Sequence, residues 1–320
     1  MNAPALGGAM ATPARRDRRR VLVAGAAGFL GRSLVAEFAA HGWEVHGLVR
    51  NSERAISVTA AGGVPVLADL LDAAAVERAA VDCSAIVHVA ANPSVRDPGP
   101  GAARRARVDG CRNLLAAARA AGVPRLVIGS GYWVYADQDG EFDENGRLDP
   151  RGESAINYAT ELAGREGGSP PEVMVVRPGM VYGDGSWFRG VVDALRSDTY
   201  RLIEGGRNPW SFVGLADAAA GFRTVVEVGR SGEVYNLVDL SPTPWGEFIA
   251  HVAGRLGAAP PGSMPMDRAR RELGEEIAYH LSARRAASSA RLRSLGWAPR
   301  YPSYRAGIDA LLASMGFGGG

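Results

Sequence analysis

The chain has 320 residues, 47% of them apolar and 22% charged, enough for one large α/β domain with a smaller lobe. Basic and acidic residues number 36 and 34, and five arginines (Arg15, Arg16, Arg18, Arg19, Arg20) lie in the first twenty positions, so the body carries a net charge of about −2 and shows no basic stripe for nucleic acid. All 36 basic residues are arginine, which excludes any chemistry that needs a lysine ammonium.

Residues 1–19 are rich in Ala, Pro and Arg and read as an unstructured tail. Arginines ahead of an apolar run also resemble a secretory leader, but the glycine spacing that follows suits a first strand and its turn better. Short apolar runs at 21–25, 44–49, 64–68, 85–90, 126–129 and 173–177 predict strands. Between them, 31–40, 73–80, 102–121 and 157–166 carry helical patterns. This alternation predicts a Rossmann-type, doubly wound parallel sheet over 20–182, with a strand near 232–238 returning to it. Residues 183–231 and 239–315 are expected to form a substrate lobe, and 316–320 a frayed end. Cys83 and Cys111 have neither metal-ligand nor disulfide-framework spacing, which suits a reducing cytoplasm and predicts no metal site. There is no apolar run of about 18 residues, so no membrane span is expected.

Gly25, Gly28 and Gly31 form a GxxGxxG loop between the first strand and first helix. Glycines there permit a tight turn, let the backbone approach a pyrophosphate, and bring helix and strand together. The helix start, with Phe29 and Leu30, then offers free N–H groups and a positive dipole end to phosphates. Arg50 ends the second strand, where an acid would bind the ribose of NAD; arginine pairs with a 2′-phosphate, so NADP(H) is expected over NAD(H). Asp69 and Leu70, after the third strand, suit the adenine edge, though Asp69 equally suits a helix cap.

Together with His88-Val89-Ala90-Ala91, Val134-Tyr135, Arg177 to Gly183, Gly232 to Asn236 and Leu295 to Tyr304, these residues resemble the extended short-chain dehydrogenase/reductase family of NAD-dependent epimerases and dehydratases. The resemblance implies that Ala90 and Pro178 also contact the dinucleotide. It implies a tyrosine that exchanges a proton with the substrate oxygen, a lysine four residues later, a serine and an asparagine. Tyr158 matches the tyrosine and is expected as proton donor and cofactor contact, with Glu166 eight residues on fixing that register. The lysine position is Leu162, the serine position Gly131 (with Ser130 adjacent), and the asparagine position Arg107. The chain is thus an atypical member.

A tyrosine with its ordinary pKa near 10 is only about one-thousandth ionised at pH 7, too little for a base but no bar to donating a proton. Reduction is therefore expected to survive better than oxidation. Arg165 offers a substitute charge but no proton shuttle, and His88 reads as a structural residue. Tyr132, Trp133 and Tyr135 suit a flat or apolar small-molecule substrate, while Asp143 and Glu144 lie in a polar loop, 136–154, expected as a lid. Helix 102–121 is compatible with a homodimer. Three functions remain open: an NADP(H)-dependent reductase, epimerase or dehydratase; a non-redox cyclase, isomerase or lyase; and a binding protein that senses NADP(H).

Overall fold

The computed structural model describes residues 19–91 and 100–317. Seven parallel strands form the central sheet: β1 (Arg20–Ala24), β2 (Glu44–Val49), β3 (Val64–Leu67), β4 (Ala85–His88), β5 (Arg125–Gly129), β6 (Glu172–Pro178) and β7 (Val234–Leu237). Their order is β7-β6-β5-β4-β1-β2-β3, so the chain reverses direction across the sheet between β1 and β4. In a doubly wound sheet, ligands settle outside the carboxyl ends of the strands at that reversal. The predicted return strand is β7, paired in parallel with β6.

Continuous apolar runs make the strands, because both faces are covered. On one face lie α1 (Phe29–Ala40), α2 (Ser52–Ala60) and, later in the chain, α8 (Leu215–Val228). The other face carries α3 (Ala73–Ala80), α5 (Gly110–Ala121) and α6 (Glu153–Ala163). The helix expected at 102–121 comes in three pieces: α4 (Pro100–Arg104), a π turn (Arg105–Asp109) and α5. A β-carbon on Gly110 would stand 2.5 Å from Leu70 Cδ2, so glycine lets α5 settle against the loop before α3. The residues between β4 and α4 lie outside the described residues, as does the tail to Arg18.

One expectation about the lobe needs correction. Residues 215–228, assigned to the lobe from sequence, form α8, whose Ala218, Ala219, Phe222, Val225 and Val226 join the core on the α1 face of the sheet. Its alanines let it lie close to α1, and its apolar face is buried there. The lobe itself is built from α7 (Ser186–Arg196), α9 (Trp245–Arg255), α10 (Met266–Leu273), α11 (Glu275–Ser282), α12 (Ala290–Arg293) and α13 (Tyr304–Ser314). Leu292 of α12 nonetheless packs into the sheet core. An aromatic stack fills the lobe, with Phe212 and Phe248 parallel at 4.3 Å and Trp210 on Trp245 at 4.4 Å.

Candidate functional site

The turn after β1 is shaped by contacts that exclude side chains. Gly25 has φ +94°, and a β-carbon there would stand 2.7 Å from the backbone of Ala90 at the end of β4. A β-carbon on Gly31 would stand 2.0 Å from the Gly25 carbonyl oxygen. The loop is thus folded into β4 and α1 more tightly than any other residue allows. Gly28 caps α1 without a side-chain hydrogen bond, and no acid occupies the first turn. The amides of this helix start are therefore left to a ligand or solvent. Phe29 turns its ring toward Gly183 and Gly185 of the lobe.

Beside this turn lies a cavity of about 240 Å³ at the carboxyl ends of β4 and β5. Leu30 forms one wall, His88 to Ala91 the floor, Gly129 and Ser130 a second wall, and Glu153, Asn157 and Thr160 of α6 the roof, with Arg107 entering from the π turn. The residues present fit a dinucleotide: a tight glycine turn and the uncapped amides at the start of α1 lie beside a cavity lined by both apolar and polar residues. Arg107 is the single cation among the described lining residues. Its Nη1 donates to Asn157 Oδ1 at 2.8 Å and its Nη2 pairs with Glu153 Oε2 at 3.1 Å. Below it, His88 Nε2 meets the Arg107 carbonyl oxygen at 3.0 Å, so Nε2 carries the hydrogen. Burial, with a smaller contribution from the Arg107 charge, holds the His88 pKa down at about 4. A neutral His88 anchors the π turn from beneath, and its Nδ1 is buried without a hydrogen-bond partner among the described residues.

The roof departs from the expectation for Tyr158. That residue does not line the cavity; it packs with Tyr132, Val134 and Tyr135 on the side toward the lobe. Asn157 faces the cavity instead. Leu162, expected in place of a lysine, is half exposed, and Glu161 is the residue turned inward, 1% exposed. Glu161 accepts from Arg177 Nε at 2.9 Å and Nη2 at 2.6 Å, and from Ser130 Oγ at 2.5 Å. Helix rotation explains the difference. Gly164 packs so closely on β5 that a β-carbon would reach 1.9 Å from Ile128 Cδ1, and Thr160 and Ala163 are buried beside it. With those residues against the sheet, Asn157 and Glu161 share the inward side and Tyr158 and Leu162 are rotated away. Glu166, read from sequence as fixing the tyrosine register, lies past the helix end and pairs with Arg112 at 2.8 Å.

Arg50 is exposed at the end of β2 and makes no hydrogen bond to another described residue; Asn51 beside it caps α2 by accepting from the Arg54 amide. Asp72, not Asp69, caps α3, while Asp69 accepts from the Leu71 amide in the preceding turn. Leu70 packs on the α3 face, and its carbonyl accepts from Asn113. Pro178 is buried at the end of β6. Arg165 is exposed beyond α6. Of the aromatic trio, Tyr132 and Tyr135 are core residues and only Trp133 stays half-buried, stacked on His280 at 4.7 Å. The expected lid is tied down: Glu141–Phe142 pairs with Ala286–Ala287, and Glu144 is buried and accepts from the Asn236 amide. Both cysteines are buried, and burial raises their thiol pKa values, to about 11 for Cys83 and about 12 for Cys111. Among the described residues no group of His, Cys, Asp and Glu could hold a metal ion, and no helix is long and apolar enough to cross a membrane.

Residues 21–237 match the model of the NAD dependent epimerase/dehydratase family. A 3-diazoavenalumate denitrifying reductase from a Streptomyces species is 35% identical over 305 residues, covering 90% of this chain and 99% of the relative. A 4-hydroxy-2-methyl-3-oxo-4-farnesyl-3,4-dihydroquinoline-1-oxide ketoreductase from Stigmatella aurantiaca is 32% identical over 320 residues, covering 91% and 95%. Among solved structures, the human epimerase family protein SDR39U1, crystallised with NADPH, superposes with a TM-score of 0.76 at 22% identity, covering 92% of this chain and 99% of that one.

Proposed function

The chain belongs to the NAD dependent epimerase/dehydratase family, within the extended short-chain dehydrogenase/reductase fold, and from that premise we propose that it is an NADPH-dependent reductase of a flat, conjugated small molecule. One observation carries the choice of reduction: the described cavity lining holds no phenol or ammonium, and its carboxylate, Glu153, is paired with the Arg107 guanidinium. Oxidising an alcohol needs a free group that accepts its proton, and the roof's carboxylate is engaged by that guanidinium. His88 is a poor candidate, because burial holds its pKa down at about 4, leaving it a weak base, and its free Nδ1 is itself buried. Reduction asks less of the protein, since the oxygen only needs its developing charge stabilised while a proton follows from water.

When bound, reduced nicotinamide would supply the hydride. The glycine turn and the start of α1 would hold its pyrophosphate, Ala90 and Pro178 would flank it, and Asp69 and Leu70 would meet the adenine end. Arg50 supports NADPH over NADH, because an exposed guanidinium with no hydrogen bond to another described residue can pair with a 2′-phosphate. One relative is named as a reductase of a diazoavenalumate and the other as a ketoreductase of a dihydroquinoline-1-oxide, which supports a flat substrate. Half-buried Trp133 is the aromatic residue nearest that role.

Fluorescence titration with NADPH and NADH tests this reading. NADPH is expected to bind more tightly, and Arg50→Glu to weaken it by about tenfold or more while leaving NADH nearly unchanged. Tighter NADH binding, or an Arg50→Glu protein indifferent to the 2′-phosphate, would overturn the NADPH preference.

A further inference from the structure

Asn157 is held in one orientation. A guanidinium has only donors, so the Asn157 oxygen must face Arg107 Nη1, and the Nδ2 amino group must face the other way. That direction is open: Nδ2 lies 3.4 Å from the point where Gly131 would carry a β-carbon, so the missing side chain leaves space in front of it. Nδ2 makes no hydrogen bond to another described residue, yet Asn157 lines the cavity. Arg107 is fixed in turn by Glu153 at its other nitrogen and by His88 at its carbonyl. A π turn that departs from the regular helix carries Arg107, the kind of local insertion that often serves a site.

We propose that Asn157 is the catalytic residue of this cavity, its Nδ2 donating a hydrogen bond to the substrate oxygen, and that Arg107 is the positioning residue that sets the amide's orientation. This rests on reading the cavity as the site of a reductase. When the carbonyl carbon gains a hydride from reduced nicotinamide, the π pair of the C=O bond moves onto oxygen. Asn157 faces the resulting oxyanion, and water then supplies the proton that completes the hydroxyl. An amide stabilises negative charge without giving up a proton at neutral pH. The substrates are conjugated ketones and enals, where hydride addition to the carbonyl carbon leaves an alkoxide whose charge stays on the oxygen that Asn157 faces until water protonates it. Tyr158, one position along α6, has no part in this step.

4-Dimethylaminocinnamaldehyde tests the proposal without turnover, because its visible band moves to longer wavelength when its carbonyl oxygen accepts a hydrogen bond. The dye is titrated into protein saturated with NADP⁺. A red shift is expected in the parent protein and in Tyr158→Phe, and its loss in Asn157→Ala. Asn157→Asp retains the shape and the pairing with Arg107 but removes the donor, so it too loses the shift, and it serves if the alanine variant fails to fold. Arg107→Leu weakens the shift and Arg107→Lys restores part of it. With NADPH, the kcat for reduction of the same dye falls about a hundredfold in Asn157→Ala. An unshifted parent, an equal shift in Asn157→Ala or Asn157→Asp, or a shift abolished in Tyr158→Phe would overturn the assignment. NADPH fluorescence on the same samples separates the failures: a parent that binds no NADPH removes the reductase reading, whereas one that binds it with an unshifted dye removes only the role of Asn157.

Discussion

At the scale of single residues, neighbours in sequence take opposite parts. Asn157 and Tyr158 differ by about 100° around the helix axis, enough to place one in the cavity and the other in the aromatic packing beneath the lobe. The tyrosine was the conspicuous residue in the sequence, and nothing about the asparagine marked it before its contact with Arg107 was known. The glycines were legible from the start, since Gly25 and Gly31 both sit where a β-carbon would meet backbone. Asp239 was not. It lies buried after β7, its Oδ2 has no hydrogen-bond partner among the described residues, and burial, assisted by nearby Asp217, raises its pKa from 3.8 to about 7. A carboxyl whose pKa is raised in the folded state is favoured protonated, so its contribution is complete below its unfolded pKa and fades as pH rises through 7. The melting temperature is therefore expected to fall from about pH 4 to about pH 7 and to level off by about pH 8. Asp239→Asn should flatten that fall and raise the melting temperature at pH 8 by about 3 °C or more. Parallel melting curves for parent and variant over this range would refute the account.

At the scale of elements, α6 decides the site, and its rotation is set by three strands' worth of contacts. Gly164 rests on Ile128 of β5, and Glu161 is clamped by Arg177 of β6 and by Ser130 just past β5. Arg177 also lies 4.9 Å over the Tyr135 ring, whose hydroxyl donates to Asn236 of β7. Glu161 and Arg177 are 1% and 4% exposed, so each is the other's compensation. Glu161→Gln leaves a buried guanidinium without its counter-charge and is expected to cost about 3–5 kcal/mol, read as a lower urea midpoint. Replacing both partners by Leu and Met should cost less than the single change. A midpoint unmoved by Glu161→Gln would mean that the pair is solvated in solution and does not fix the helix. The π turn shows the same dependence on context: the sequence predicted one uninterrupted helix there, and only the seats of Gly110 on Leu70 and of His88 on the Arg107 carbonyl reveal the break.

At the scale of the whole molecule, segments far apart in sequence hold the lobe to the sheet. The loop 136–154 was expected to act as a lid. Instead Asp137 accepts from the Arg284 amide and guanidinium, Ser288 donates to the Phe142 carbonyl, and fully buried Arg285 donates to the Tyr135 carbonyl and to the His280 carbonyl and ring. A strap so pinned should resist trypsin at Arg147 and Arg151, and Arg284→Ala should speed cleavage there more than elsewhere in the chain. Equal cleavage rates in the two proteins would return the strap to the role of a mobile lid. By itself the sequence determined the alternation of strands and helices, the parallel sheet that both-sided burial demands, and the glycine turn that marks where a dinucleotide would lie. Each follows from local pattern, because period, chirality and the absence of a β-carbon act over a few residues. Which side chains enter the cavity was decided only in the tertiary structure. The rotation of α6, the break before α5 and the burial of Glu144 and Glu161 are fixed by partners 16 to 92 residues away, and side-chain packing against those partners outweighs any pattern that one segment carries alone.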